Sequence, residues 1–386
     1  MQVAIRAEVI GDADLISTIR LSNQACQDTI ESGIANKTFN KTRLHQLTYK
    51  KIRADYPNLN SSLVTAVRDQ ASDMLKRLKL KIKPTKKQNS SIRLNHNTFR
   101  LLPDSKVVSI STINGRKKYG IKIPAFFSKY AFQESTSARL RTKKGRVFID
   151  IIVDVISPKK LKIKNVIGVD RGIYNPAVTS DNTFFNSRKL RDVKGRYKYL
   201  KGCLQRAGTR SAKRHLGRIG GRERRFVADT NHCISKAIVN KDCDAIALEI
   251  LRTGNMKRKG KTGKTTRKLI GSWSAKQLLS FIEYKAEMLG KTIIFVNSHY
   301  TSQACNRCGD IRRANRKGKL FKCVVCGYSL HSDLNASRNI ACLAKGKTSR
   351  LLVNEPIVAC DELKASLREE LRASIVTSSA SKMRCS

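Results

Sequence analysis

Two close pairs of cysteines constrain this chain more than any other feature: Cys305-Asn-Arg-Cys308 and, after fourteen residues, Cys323-Val-Val-Cys326, each pair followed by a glycine, Gly309 and Gly327. A C-x-x-C turn aims two sulfurs at one point, and two such turns at this separation have the spacing of a zinc ribbon. Four protein thiolates would fill the coordination sphere, so Zn²⁺ here is expected to be structural and not to activate water. Disulfide pairing is the alternative, disfavoured where no export signal is evident. The chain has eleven cysteines, an odd number. The scattered ones, such as Cys203, Cys233 and Cys342, sit among apolar residues and are expected to be small core fillers.

Charge narrows the partner. Across 386 residues there are 78 Lys and Arg against 29 Asp and Glu, a formal charge of +49. A compact body with that charge repels itself and calls for a polyanion. No run of about 18 apolar residues is present to span a bilayer, which argues against a membrane protein. The start, MQVAIRAEVIGDAD, has no signal-peptide pattern. The expectation is therefore a cytoplasmic, nucleoid-associated protein, not secreted. The charge runs through every segment except the last, which points to a long nucleic-acid groove and not one basic tail.

The pattern along the chain changes three times. Residues 3–10 alternate as a strand, and residues 13–78 carry helical spacing. Short strand-like runs follow at 91–102, 107–113, 119–123, 137–141 and 147–156, with Asn114-Gly115 as a two-residue hairpin signal and Lys144-Gly145 as a weaker one. From 163 onward, buried strands at 166–169, 177–179, 244–251 and 292–297 alternate with helices at 187–241 and 273–289. Residues 251–271 are expected to be a polar loop. Beyond 344 lies one amphipathic segment with Leu363, Leu367, Leu371 and Ile375 on a seam, then a polar end.

Three acids stand at the ends of this framework. Asp170 ends an apolar strand in Ile167-Gly-Val-Asp-Arg-Gly-Ile173, Glu249 ends another in Ala245-Ile-Ala-Leu-Glu249, and Asp333 opens a helix in His331-Ser-Asp-Leu-Asn-Ala-Ser-Arg-Asn-Ile340. A carboxylate at the end of a buried strand is costly unless it is paired or holds a metal. Together the three could hold two Mg²⁺ ions for in-line phosphodiester hydrolysis. Singly, each has a plainer reading: a turn for Asp170, a helix cap for Asp333, an arginine partner for Glu249. Arg171 is the arginine nearest in sequence that could neutralise a scissile phosphate. His331 and His232 are expected to pack or support rather than to react.

The order of GVDRG, a strand-borne Glu, a four-cysteine knuckle and DLNASRNI resembles the split RuvC domain of the TnpB family, transposon-encoded relatives of the type V CRISPR effectors. Gly221-Arg-Glu-Arg-Arg-Phe226, Asp229-Thr-Asn-His-Cys-Ile-Ser-Lys236 and Tyr300-Thr-Ser-Gln303 are similar to that family as well, and the likeness runs from about 163 to 345. It implies an α/β plus β-barrel architecture: an RNase H-like RuvC domain with an inserted zinc ribbon, preceded by a wedge-type β-barrel that a helical recognition module interrupts. The implied boundaries are wedge at 1–12 and 81–162, recognition module at 13–80, RuvC at 163–300 with a lid at 252–268, zinc insert at 301–328, third acidic motif at 329–345, and a tail, partly disordered, at 346–386.

The same likeness implies an RNA-guided, Mg²⁺-dependent DNA endonuclease with Asp170, Glu249 and Asp333 as catalytic acids and Cys305, Cys308, Cys323 and Cys326 as zinc ligands. Its implied partners are a guide RNA derived from the transposon end and a double-stranded DNA target unwound to single strands. Arg188, Lys189, Arg191, Arg196, Arg222, Arg224, Arg225, Arg312 and Arg313 are the candidate nucleic-acid contacts. A nuclease-inactive, RNA-guided repressor and a transposase accessory protein remain the alternatives.

Overall fold

The computed structural model describes residues 1–10, 13–78, 80, 82–102, 106–130, 135–143, 145–251 and 263–346. Lys144, most of the expected lid and the amphipathic tail segment lie outside the described residues. The chain divides into two compact units, residues 1–156 and 157–386.

The first unit is a strand, three helices and six further strands. β1 (Gln2–Val9) leads to α1 (Ala13–Ala35), α2 (Lys41–Asp55) and α3 (Ser61–Leu78), followed by β2 (Ile92–Leu94), β3 (Phe99–Leu102), β4 (Val107–Thr112), β5 (Gly115–Lys122), β6 (Ser135–Lys143) and β7 (Arg146–Asp154). The strands form one seven-stranded sheet in the order β2-β6-β7-β1-β5-β4-β3. Each pair is antiparallel, and β1 is central, paired with β7 on one side and β5 on the other. The helices are thus an insertion between the first strand and the rest of its sheet, and where a wedge-type β-barrel was expected the strands form a half-barrel sheet with β2 and β3 at its edges. Inward alternation along β7 buries Val147, Ile149, Ile151 and Val153.

Two local expectations are corrected. The single run at 91–102 is two strands, because Asn95 and Thr98 build a turn between them: the Asn95 side chain accepts from the Thr98 amide at 3.1 Å. The first hairpin turns one residue earlier than expected. Thr112 pairs with Gly115, so Ile113 and Asn114 form the turn, and Gly115 takes the left-handed φ of 88° that closes it.

The second unit is built on a five-stranded sheet: β8 (Val166–Asp170), β9 (Ala177–Thr179), β10 (Thr183–Phe185), β11 (Ala245–Glu249) and β12 (Thr292–Val296). Their order is β10-β9-β8-β11-β12. β8, β11 and β12 are parallel, so their crossovers must be helical. α4 (Arg188–Ala207) and α5 (Arg210–Val239) join β8's end of the sheet to β11; α6 (Lys264–Ser272) and α7 (Ala275–Met288) join β11 to β12. α6 corrects the expected loop at 251–271: a short helix forms there and buries Ile270. After β12 come the knuckle strands β13 (Arg316–Lys317), β14 (Leu320–Lys322) and β15 (Ser329–His331), and then α8 (Ser332–Ala344).

The two faces of this sheet are covered differently. Val169, Ile246, Leu248, Ile293 and Phe295 pack against Ile234 and Ile238 of α5 and Leu278 and Ile282 of α7. On the opposite face Val166, Ala245, Ala247, Ile294 and Val296 pack against Ile340 and Leu343 of α8. Strands buried on both faces explain the continuous apolar runs in their sequences.

Candidate metal centres and their setting

The four cysteines come together as the spacing requires. Cys305 Sγ lies 3.7 Å from Cys326 Sγ, and Cys308 Sγ lies 3.6 Å from Cys323 Sγ. All four sulfurs lie within 4.8 Å of one another. A tetrahedron with metal–sulfur bonds of about 2.3 Å has edges of about 3.8 Å, so the thiols have the separation a zinc-sized ion needs. Each knuckle closes on its glycine: Gly309 N–H donates to Cys305 O at 2.9 Å and Gly327 N–H to Cys323 O at 3.1 Å, with φ of 77° and 68°. The thiols act on one another: burial raises Cys305; against the Asp310 amide, burial and the neighbouring thiols raise Cys308; and despite burial the amides of Cys326 and Val325 bring Cys323 down to about 7. The scattered cysteines divide: Cys26 and Cys243 are buried fillers, whereas Cys233 is exposed on α5, contrary to expectation, because the face of α5 that carries it is turned away from the core.

The sheet and α8 place the acids. A Cβ on Gly168 would lie 2.0 Å from Ser337 O and 2.5 Å from Ala341 N, so only glycine lets α8 lie this close to β8. Asp170 is two residues further along β8 and Asp333 one helical turn before Ser337. Two strand residues and four helix residues both advance about 6 Å, so the two carboxyls arrive at the same level. Glu249 follows Leu248, which pairs with Val169, and so ends the neighbouring strand on the same face.

The electrostatics agree with that placement. Asp170's carboxyl is held well above the usual range by desolvation, then by Glu249 and by Asp333; Arg316 and Arg171 oppose this. Glu249 is buried, and its carboxyl is also pushed up by burial, against the Thr301 hydroxyl that donates to its Oε1. Asn175 donates to Asp333 Oδ2 at 2.9 Å, and Arg316, on the knuckle strand β13, lies 3.7 Å from Asp333 Oδ1.

Arg171 is 5% exposed, its Nη2 donates to the backbone oxygen of Glu249 at 2.5 Å, and its Nε has no partner. Burial works against its charge, which the carboxyls of Glu249, Asp170 and Glu283 favour in that order, and it ties β8 to β11. Arg316, borne by the cysteine knuckle, is the second cation beside the acids. His331 supports as expected: its Nδ1 accepts the Asp333 amide at 3.2 Å and caps α8. His232 stacks on Phe281 at 3.8 Å.

Three residues beyond the motif acids hold the two centres together. Asn335 and Asn339 of α8 are fully buried, and both donate to Ala304 O at 2.7 Å, at the foot of the first knuckle. Asn339 also donates to Thr301 O at 2.7 Å. Within the knuckle Asn315 is buried and bonds Gln303, Asp310 and Val324. The DLNASRNI signature therefore carries the buried ties as well as the acid. Arg188, Lys189, Arg191 and Arg196 on α4, Arg222, Arg224 and Arg225 on α5, and Arg312 and Arg313 on the knuckle are all exposed.

This architecture is shared with a known class. The fold is similar to that of a Cas12f1 protein solved with sgRNA and target DNA, with a TM-score of 0.59 at 15% identity, covering 85% of this chain and 81% of that one. Residues 143–260 match the OrfB_IS605 family, described as "Probable transposase", and residues 276–340 match the Cas12f1-like TNB domain. Over these two stretches the chain is similar to the OrfB-type, TnpB-like proteins. A Cas12f1 endodeoxyribonuclease of Sulfoacidibacillus thermotolerans is 38% identical over 121 residues, 30% of this chain and 27% of that protein. InsQ of Escherichia coli (strain K12), whose name proposes an RNA-guided DNA endonuclease, is 26% identical over 225 residues, 52% of this chain and 51% of InsQ. The matched stretches span 24–31% of the first three curated relatives' own lengths. Among the described residues no helix is long and apolar enough to cross a membrane.

Proposed function

We propose that this chain is an RNA-guided DNA endonuclease of a transposable element, cutting at a RuvC-type, RNase H-like centre formed by Asp170, Glu249 and Asp333. The observation that carries the reading is the convergence of the three acids, from β8, β11 and α8, on one face of one sheet end, where desolvation and mutual repulsion hold Asp170's carboxyl well up. Such an arrangement is unfavourable for folding and is explained by divalent cations. Mg²⁺, two ions when bound, would supply charge neutralisation and an activated water for phosphodiester hydrolysis.

The chain's own residues prepare that site. Asp170 feels the charge of both other acids, Thr301 orients Glu249, and Asn175 and the His331 cap orient Asp333. Arg316 brings a guanidinium to the same edge, suited to steering a phosphate. Zn²⁺ held by Cys305, Cys308, Cys323 and Cys326 would fix the hairpin that bears Arg316. The exposed cations of α4, α5 and the knuckle would take nucleic-acid phosphates, and sequence would be read by guide pairing, which suits a protein rich in phosphate contacts.

The test is to express the chain with its flanking genomic sequence, purify it at high salt and sequence the co-purifying RNA. A discrete RNA ending at transposon-flanking sequence is expected. Heterogeneous RNA, or none, would contradict the guided reading.

A further inference from the structure

A second site lies on the other side of the sheet from α8. α4, α5, α6 and α7 and the loop after β8 enclose a cavity of about 810 Å³, within the range of small-molecule pockets. None of the three acids and no residue of α8 lines it. Its apolar wall is formed by Ile173, Pro176, Leu190, Leu269, Trp273 and Leu278.

The polar groups are of two kinds. At the rim stand Lys198 and Lys268, exposed and with no acidic partner among the described residues, and Arg191, which rests 4.9 Å above the Tyr174 ring. The one acid of the lining, Glu223, is spent on Lys201. Lys194 donates to Ser272 O at 2.7 Å, tying α4 to the end of α6 and holding the cavity's shape. In the wall, Asn231 is 1% exposed; its Nδ2 donates to Gln277 at 2.8 Å, but its Oδ1 has no partner. A buried amide oxygen left without a donor is costly, and it marks a place for an N–H group to be supplied from outside.

The occupant must therefore have a flat apolar body, a hydrogen-bond donor and a negative charge at the mouth. We propose that this cavity binds one nucleotide, with the base against the apolar wall within reach of Asn231 and the phosphate at Lys198 and Lys268. The nucleotide is either one unit of a strand or a free nucleoside monophosphate; the chemistry is shared. The inference does not depend on the acids being a nuclease centre, since it rests on different residues and a different face.

The test uses Trp273, the only tryptophan in the chain, as a reporter inside the site. The full chain, freed of nucleic acid at high salt, is titrated at fixed ionic strength with AMP, GMP, CMP and UMP, with short oligoribonucleotides, and with inorganic phosphate. Saturable quenching by a nucleotide or an oligonucleotide, one per chain, is expected, with phosphate ineffective. Quenching by mononucleotides assigns a free-nucleotide site, and quenching by oligonucleotides alone assigns a strand. Lys198→Glu with Lys268→Glu should weaken it at least tenfold, and Asn231→Leu should weaken it and change the ranking of bases. Lys50→Glu, exposed on α2 and outside the lining, should leave it unchanged. No quenching, equal quenching by phosphate, or equal loss in Lys50→Glu would each overturn the proposal. Thermal melts of the variants separate lost binding from lost folding.

Discussion

The knuckle and the acid cluster are the two groups proposed to hold cations, yet they are opposites. The thiols come from 22 consecutive residues, 305–326, and close to tetrahedral separation around one small volume. The acids come from Asp170, Glu249 and Asp333, spread over more than 160 residues, and meet only because β8, β11 and α8 pack together. The first arrangement would satisfy an ion completely and so serve stability. The second, on the proposed reading, would leave coordination positions for water and substrate and so serve chemistry, at a cost to the fold. One element, α8, serves both: Asp333 opens it, and Asn335 and Asn339 anchor the knuckle to it.

The largest effect that would sharpen this contrast is at the knuckle. Cys305→Ser removes one of four ligands, and structural zinc binding is worth about 10 kcal/mol or more. Zinc content should fall from one per chain and residues 305–331 should lose amide protection. A fully loaded, protected variant would break the comparison. Next is Gly168→Ala, which drives a methyl into the α8 backbone and should cost about 3 kcal/mol or more, read as a lower denaturation midpoint. Asn339→Ala leaves the Ala304 and Thr301 carbonyls short of a donor and should cost about 2 kcal/mol, with faster zinc loss to chelator. The smallest is of opposite sign. Asp170→Asn removes a desolvated, repelled carboxyl and should stabilise the metal-free chain by about 1 kcal/mol. A loss of stability there would mean that Asp170 is an ordinary paired acid.

The same contrast explains what was legible in sequence. Cys305 to Cys326 is a local code, since spacing alone dictates the geometry. The acids were marked singly by strand ends and jointly only by family resemblance; their meeting depends on Gly168, whose need for a close helix no sequence window displays. The periods of β7 and of α3 were plain because one face of each is buried. The α6 helix was not, because few of its residues are buried and glycine and lysine surround it. Arg171 was suggested by adjacency in sequence and is tied to the Glu249 backbone, whereas Arg316 comes to Asp333 only through the hairpin fold, which no sequence window displays. Asn335 and Asn339 stood in a quoted motif, yet nothing in residue type separates a buried tie from a surface amide.

The central claim is that three acids form a metal-dependent nuclease centre, and cleavage tests it most directly. The full chain with its co-purified RNA is given a matching labelled DNA duplex while Mg²⁺ is titrated, beside Asp170→Ala, Glu249→Ala and Asp333→Ala prepared in the same way. The account predicts Mg²⁺-dependent cutting by the parent and a loss of roughly 10³-fold or more in each variant, with zinc content and RNA binding intact. Cutting that persists in any one of the three folded variants, or that proceeds without divalent cations, would contradict it.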